Sequence, residues 1–422
     1  ALDVLRLMER PAARVYARDQ VEALEWISEQ VSSLGIDCQW DRRTAVSYST
    51  TASGAGIVHA EASAAREAGL DVEVGRELDL PFPTTASVSL DGQAQFDAVP
   101  YIEALAAEVD SYPDCSVHEW SRVVGIGGRG PHRVRTSDGT VHADHVVVAT
   151  LLPITDRGLF FARAKPSMSY VVALGVPEPL PQGMYLSVDQ PTRSLRTAHH
   201  DGREVLLVGG EGSGVARGPL PATAVEKLVS WSREHFDVRD VVLSWSAHDL
   251  VPADHLPWVG PSSPITPRVL VATGFEKWGM AMGTAAAHRL SRQVLGEGGD
   301  EPWGPFGTGR LAARSIPEAA GFNAKVATRL VGDWIRPGSP PGSDGAGRRY
   351  RSGLVPKGDP DGRAETDPVS VVCTHLGGIC RWNDLERTWD CPLHGSRFEA
   401  DGTVVAGPAV RPLRGGPDAV EE

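Results

Sequence analysis

The sequence predicts an α/β body that carries an additional mixed α+β sheet, followed by a small separate C-terminal module. Three observations predict it. His145–Thr150 and Val269–Ala272 are continuous runs rich in β-branched residues, the pattern of strands buried on both faces in an α/β sheet. Between such runs lie segments with apolar residues at helical spacing. Trp334–Gly347 holds Pro337, Pro340 and Pro341 with four glycines, a composition that fits a linker.

The elements follow in order. From Leu2 to Leu34, Ala17, Val21, Leu24, Ile27 and Val31 lie on one helical face, which reads as two helices broken at Pro11 and capped by Gly35. His59–Ala68 is a short helix stopped by Gly69, and Val72–Ser89 turns strand-like. A helix enters through Pro100, a favoured first-turn residue. Ser116–Ile126 and His132–Thr136 read as strands, with Ser137-Asp138-Gly139 as a hairpin turn. Tyr170–Leu174, Met184–Ser187 and Val205–Val208 are strands of a second sheet. Ala222–His235 is an amphipathic helix, and a last helix runs from Met280 to Leu295.

Composition narrows the function. The 422 residues carry a net charge of −13 with 41% apolar and 23% charged residues. An acidic chain of this kind is a poor match for a nucleic-acid backbone or an anionic membrane surface. No apolar run approaches the roughly 18 residues of a membrane span. The first twenty residues show no signal-peptide core. Five cysteines are too few for a disulfide scaffold, which points to a cytoplasmic setting. The chain opens at Ala1 already in a helical pattern, so a preceding segment is expected to be missing.

The strongest chemical signal is C-terminal. Cys373-Thr374-His375-Leu376-Gly377-Gly378 is followed, after fifteen residues counted from His375, by Cys391-Pro392-Leu393-His394-Gly395-Ser396. Each half supplies one thiolate and one imidazole. A [2Fe–2S] cluster with two His in place of two Cys on one iron needs this split. Gly377, Gly378 and Gly395 would let backbone N–H groups approach the inorganic sulfurs. Two other readings stay open: a structural Cys₂His₂ zinc site, although Cys and His alternate here, and chance.

At these residues the chain resembles the Rieske family, from about Val369 to Leu413. The resemblance implies a small all-β domain in which Cys373 and Cys391 hold one iron and His375 and His394 the other. Many Rieske proteins tie the two loops by a disulfide, at positions occupied here by Gly378 and Leu393. Cys380 has no partner in the second loop on this reading. Ser396 matches the hydroxyl that bonds a bridging sulfur in high-potential centres, whereas Phe398 stands where they carry Tyr. The expected potential is therefore on the lower side of the Rieske range.

Four segments of the body look like parts of one dinucleotide-binding fold. They are Ala143–Thr150, Val269–Phe275, Lys277–Met280 leading into a helix, and Pro252–Gly260. Ligands sit at the carboxyl ends of strands in such sheets, and a helix N-terminus favours phosphate or an electron-rich ring. The order resembles FAD-dependent oxidoreductases of the D-amino-acid oxidase and glycine oxidase superfamily, in its branch with a fused Rieske domain. On that resemblance Val123 contacts the adenine side, Thr150 lies near the adenosine, and Gly274, Lys277, Trp278, Gly279 and Met280 line the flavin ring. The family's opening G-x-G-x-x-G unit does not precede Ala1, which leaves FAD binding by this chain in doubt. Gly209–Gly214 is the remaining Gly-rich candidate, and the resemblance places it in a substrate-domain loop.

The resulting division is 1–155 as the remainder of the FAD domain, 156–262 as a substrate sheet, 263–335 as a return to the FAD domain, 336–350 as linker and 351–415 as the Rieske domain. Arg193 and Arg196 are read as a carboxylate clamp or a solvated strand face, and His248-Asp249 as an acid/base pair or a structural turn. His142, Asp144 and His145 are a weak candidate for a mononuclear iron triad, and Cys38 and Cys115 for buried fillers. The expected function is oxidation of a small amine or amino-acid-like substrate at a flavin, with electrons leaving through the cluster to a redox partner protein or small acceptor. Two alternatives are carried: a non-catalytic electron-transfer or redox-sensing protein, and a ring-hydroxylating oxygenase. The last places its Rieske module first, whereas here only 28 residues follow His394.

Overall fold

The computed structural model describes residues 10–75, 77–155, 158–177, 179–218, 220–299, 302–310, 316–335, 348–352, 355–359 and 369–415. Residues 2–9 of the expected first helix, and Pro337, Pro340 and Pro341 of the expected linker, lie outside them. In chain order the body comprises α1 (Arg10–Ser33), β1 (Asp41–Ser49), α2 (Ala52–Glu67), β2 (Glu73–Val74), β3 (Ala86–Gln95), α3 (Ala98–Ser111), β4 (Val123–Gly127), β5 (His132–Thr136), β6 (Thr140–Ala143), β7 (Val146–Val148), β8 (Ala164–Gly175), β9 (Met184–Ser187), β10 (Arg193–His200), β11 (Arg203–Gly214), α4 (Pro221–His235), β12 (Asp240–Pro252), β13 (Trp258–Pro261), β14 (Val269–Thr273) and α5 (Gly279–Val294). Then come α6 (Ile316–Ile335), β15 (Arg348–Ser352), β16 (Val355–Asp359), β17 (Val369–Ser370), β18 (Arg381–Asn383), β19 (Thr388–Asp390), β20 (Arg397–Phe398) and β21 (Val404–Ala406).

Pro11 sits in the first turn of α1, where its missing N–H costs nothing; the residues before Arg10 lie outside the described ones. Gly35 follows that helix at φ +63°, and Ile36 N–H returns to Val31 O at 3.0 Å. Val21 of the expected buried face is 42% exposed, because α1 buries Ala13, Ala17, Ala23, Ile27 and Val31. Ser116–Ile126 is strand only in its last part, β4.

The large sheet runs β12-β8-β11-β10-β9-β1-β3-β2, with α4 packed across it. Strand β8 alternates: Pro166, Met168, Tyr170 and Val172 are buried, and Ser167, Ser169 and Val171 are half-buried. A second sheet, β13-β14-β7, pairs β14 with β7 in parallel. The His145–Thr150 run is not buried on both faces. As an edge strand β7 packs Val148 into the core and leaves Val147 49% exposed.

The C-terminal module consists of sheets β15-β16-β17 and β18-β19-β20-β21 around Val371, Trp389, Leu393, Phe398 and Leu413. Helix α6 was not anticipated. Its Val326, Leu330 and Trp334 pack on that core, and the same helix meets the body at β8 and through Asn323 Nδ2, which donates to Ala162 O at 2.7 Å.

Candidate functional site

Two short loops of the module share one backbone design. Cys373 N–H donates to Gly378 O at 2.8 Å and Gly377 N–H to Cys373 O at 3.0 Å. Cys391 N–H donates to Ser396 O at 2.8 Å and Gly395 N–H to Cys391 O at 3.1 Å. The fifth residue of each loop is a glycine with positive φ, +74° at Gly377 and +80° at Gly395, a conformation that other residues resist. Trp334 Nε1–H clamps the first loop through Gly377 O at 2.9 Å. Arg217 Nε–H clamps the second through Pro392 O at 2.8 Å.

The pairing puts Cys373 and Cys391 side by side, 3% and 1% exposed, with their thiols in hydrogen-bonding contact. His375 and His394 lie together with ring centroids 5.1 Å apart, and both rings meet the edge of Phe161 from the body, at 6.0 and 5.2 Å. Thiols inside and imidazoles outside suit two irons with different ligands. Among the described residues no three His, Cys, Asp or Glu side chains are arranged around a single ion.

The glycine cradle fits the same group. A Cβ on Gly378 would lie 2.9 Å from Cys391 Sγ and 2.7 Å from Leu393 Cγ. The two positions that carry the family's disulfide thus face each other, filled by Leu393 alone. Cys380 is not remote from the second loop. Its buried thiol contacts both Cys373 and Cys391, which its sequence spacing did not indicate. Ser396 Oγ accepts from Ala409 N–H at 3.0 Å and reaches the Cys373 thiol, and Phe398 is fully buried.

The second site is in the body. The carboxyl ends of β7 and β14 lie adjacent, joined by a hydrogen bond from Thr273 Oγ1 to Leu151 O. This brings together Thr150 and Gly274. Gly274 has φ +77°, and a Cβ there would lie 2.7 Å from Pro252 Cγ. Lys277, Trp278, Gly279 and Met280 follow as the turn into α5, with Trp278 50% exposed at the helix N-terminus. Val123 stands apart in the β4-β5-β6 sheet, whose Ile126 packs against the apolar cluster that includes Val148 of β7. This crevice of parallel strand ends and a helix N-terminus fits a dinucleotide.

Strands β8 and β12 separate the two sites. Asp249 pairs with Ser167, and Ala247 with Ser169, on one face; His248 pairs with Met168, and Ser246 with Tyr170, on the other. Lys277 Nζ bonds Asp249 and Ser169 on the first face. Burial pushes the Asp249 carboxyl up, against the pull of Lys277. The second face receives the module. Glu386 accepts from Ser246 N–H and Oγ–H at 2.5 and 2.9 Å, and Arg397 Nη2 approaches His248 Nε2 at 3.5 Å. Arg397 is itself held by Asp390, at 2.9 Å from Nε.

The other candidates resolve otherwise. His248-Asp249 is mid-strand, not a turn, and its two side chains point apart. Arg193 is no solvated residue: it is 6% exposed and pairs with Glu211 at 2.7 Å. Arg196 is half-buried, bonded to Thr197 O at 3.3 Å. His142, Asp144 and His145 are exposed. Cys38 is buried, but Cys115 is exposed rather than a filler. Gly209–Gly214 is not a loop; it continues β11, and a Cβ on Gly210 would meet Thr192 O at 2.6 Å.

A dinucleotide crevice beside a Cys/His two-loop module defines a flavoprotein oxidoreductase with an attached iron–sulfur domain. The chain belongs to the FAD dependent oxidoreductase family, which matches residues 6–293, and carries a Rieske [2Fe-2S] domain matching residues 359–417. These domains imply FAD and a [2Fe–2S] cluster. The chain is 31% identical, over 95% of its length and 80% of the relative's, to the Rieske 2Fe-2S iron-sulfur protein YhfW of Bacillus subtilis (strain 168). A stretch of 50 residues, 11% of this chain and 28% of the relative, is 50% identical to cytochrome b6-f complex iron-sulfur subunit 2 of Trichormus variabilis. The fold is similar to glycine oxidase from Geobacillus kaustophilus, with TM-score 0.58 and 20% identity over 70% of this chain and 82% of that one. L-proline dehydrogenase from P. horikoshii gives TM-score 0.53 and 12% identity over 66% and 78%. No described helix is long and apolar enough to cross a membrane.

Proposed function

We propose that the chain oxidises a small amine or amino-acid-like substrate at FAD and passes the electrons singly to a cluster held by Cys373 and Cys391 at one iron and His375 and His394 at the other. FAD accepts an electron pair, and the cluster relays one electron at a time. The observation that carries this reading is the shared wall: the Lys277 loop and the module contact opposite faces of β8 and β12. Lys277 and Asp249 fix charge on the flavin side. Phe161 covers the imidazole edges, keeping water from the side facing the body. The substrate class is that of the structural relatives, glycine oxidase and L-proline dehydrogenase.

The test is anaerobic mixing of the purified, cofactor-loaded chain with a panel of small amino acids and secondary amines. Flavin bleaching should be followed by the paramagnetic signal of a reduced cluster, at a rate independent of protein concentration. Flavin reduction with an unchanged cluster overturns the relay. Cluster bands with no flavin bands in the purified chain would favour a non-catalytic electron carrier.

A further inference from the structure

A cavity of about 310 Å³ lies between Arg217 of the body and α6, lined by Arg217, Lys325, Thr328 and Arg329. Its cations outnumber their partners. Arg217 spends its Nε–H on Pro392 O, while its Nη2 is buried without a hydrogen-bond partner among the described residues. Lys325 and Arg329 form no ion pair with a described residue. Behind them, Asp333 faces Arg381 at 3.6 Å and leaves its own Oδ2 without a hydrogen bond. The same carboxylate is among the acidic groups acting on Arg217 and on Arg349. Three guanidinium groups, those of Arg217, Arg349 and Arg381, thus share this carboxylate.

Like charges at such spacing repel, and partial burial strengthens the repulsion. Arg349 and Arg381 lie on the cluster side, Arg349 Nη1 donating to Cys380 O at 3.2 Å, so the charge of a reduced cluster offsets them. Half-buried Arg217 and Arg329 and exposed Lys325 instead line the cavity, where a bound anion would face all three. A cavity of this size is at the small end of ligand sites. Three cations match a compact molecule with several oxyanion oxygens.

We propose that this cavity binds a small anion bearing carboxylate or phosphoryl groups, and that Arg217 reports its occupancy to the second cluster loop. The anion supplies acceptors for Arg217 Nη2, whose Nε already holds Pro392. Negative charge placed there disfavours adding an electron to the nearby cluster, so occupancy lowers the cluster's midpoint potential. The binding half stands apart from the substrate reading; the potential half rests on the cluster assignment.

The test is calorimetric titration of the full chain with inorganic phosphate and, separately, citrate, at ionic strength matched with sodium chloride. Saturable binding of either is expected, weakened about tenfold in Arg329→Gln and in Lys325→Gln, the loss of one charge-assisted contact each. The tighter of the two probes identifies the phosphoryl or the carboxylate class. Redox titration with that probe at a concentration that half-saturates the wild-type chain should show the lower potential in the wild-type chain and a several-fold smaller shift in Arg329→Gln. No saturable binding of either anion, or binding unchanged in both variants, overturns the site. Binding with an unmoved potential overturns the coupling while leaving the relay reading to its own test.

Discussion

His248 sits on β12 between the body and the module, with Arg397, Asp390 and Glu386 as its charged neighbours. Burial pushes its imidazole down to about 4. In the unfolded chain it takes a proton near pH 6.5, whereas in the folded chain it stays neutral until far lower pH. Folding stability is therefore complete above about pH 6.5 and falls as pH drops from there toward 4, by at most about 3 kcal/mol. Denaturant midpoints measured across this window should fall for the wild-type chain and flatten for His248→Gln. At the proposed cluster, Cys391→Ser or His394→Ala should abolish the paramagnetic signal of the reduced centre while circular dichroism of the body persists. Ser396 supplies one hydroxyl near Cys373, and buried Phe398 supplies none. Redox titration should place the potential in the lower half of the roughly −150 to +300 mV Rieske range.

At the scale of elements, the two ligand loops are held by matching hydrogen bonds and by what presses on them. Gly378 cannot take a side chain without displacing Leu393 or Cys391. Gly378→Ala should cost about 1–3 kcal/mol of stability, and Leu393→Ala in the same chain should restore part of it by opening the space. Thermal unfolding of the single and double variants checks this. The loops were legible in the sequence because their glycines and ligands fall within six residues, where local geometry decides the fold. Helix α6 was not, since its apolar face has meaning only against the module core that Val326, Leu330 and Trp334 cover.

Across the whole molecule the module is fixed to the edge of the large sheet. Glu386 caps the Ser246 N–H of edge strand β12, a donor that would otherwise remain open. Glu386→Ala should therefore weaken the docking by about 1–3 kcal/mol. Hydrogen exchange at Ser246 should accelerate, while the absorption of each centre stays unchanged. If the proposed relay operates, electron passage from flavin to cluster should slow in the same variant, because the imidazole edges lose their fixed position against Phe161.

By itself the sequence determined the cofactor chemistry of the module and the α/β character of the body. Cys-x-His and Cys-x-x-His are short-range patterns, and buried strands announce themselves by composition. Tertiary structure alone decided that Arg193 is an internal ion pair, that Gly209–Gly214 is strand, and that His248 and Asp249 serve opposite faces of one wall. Those outcomes depend on which strands pair and in what register, and register is set by contacts between residues far apart in the chain.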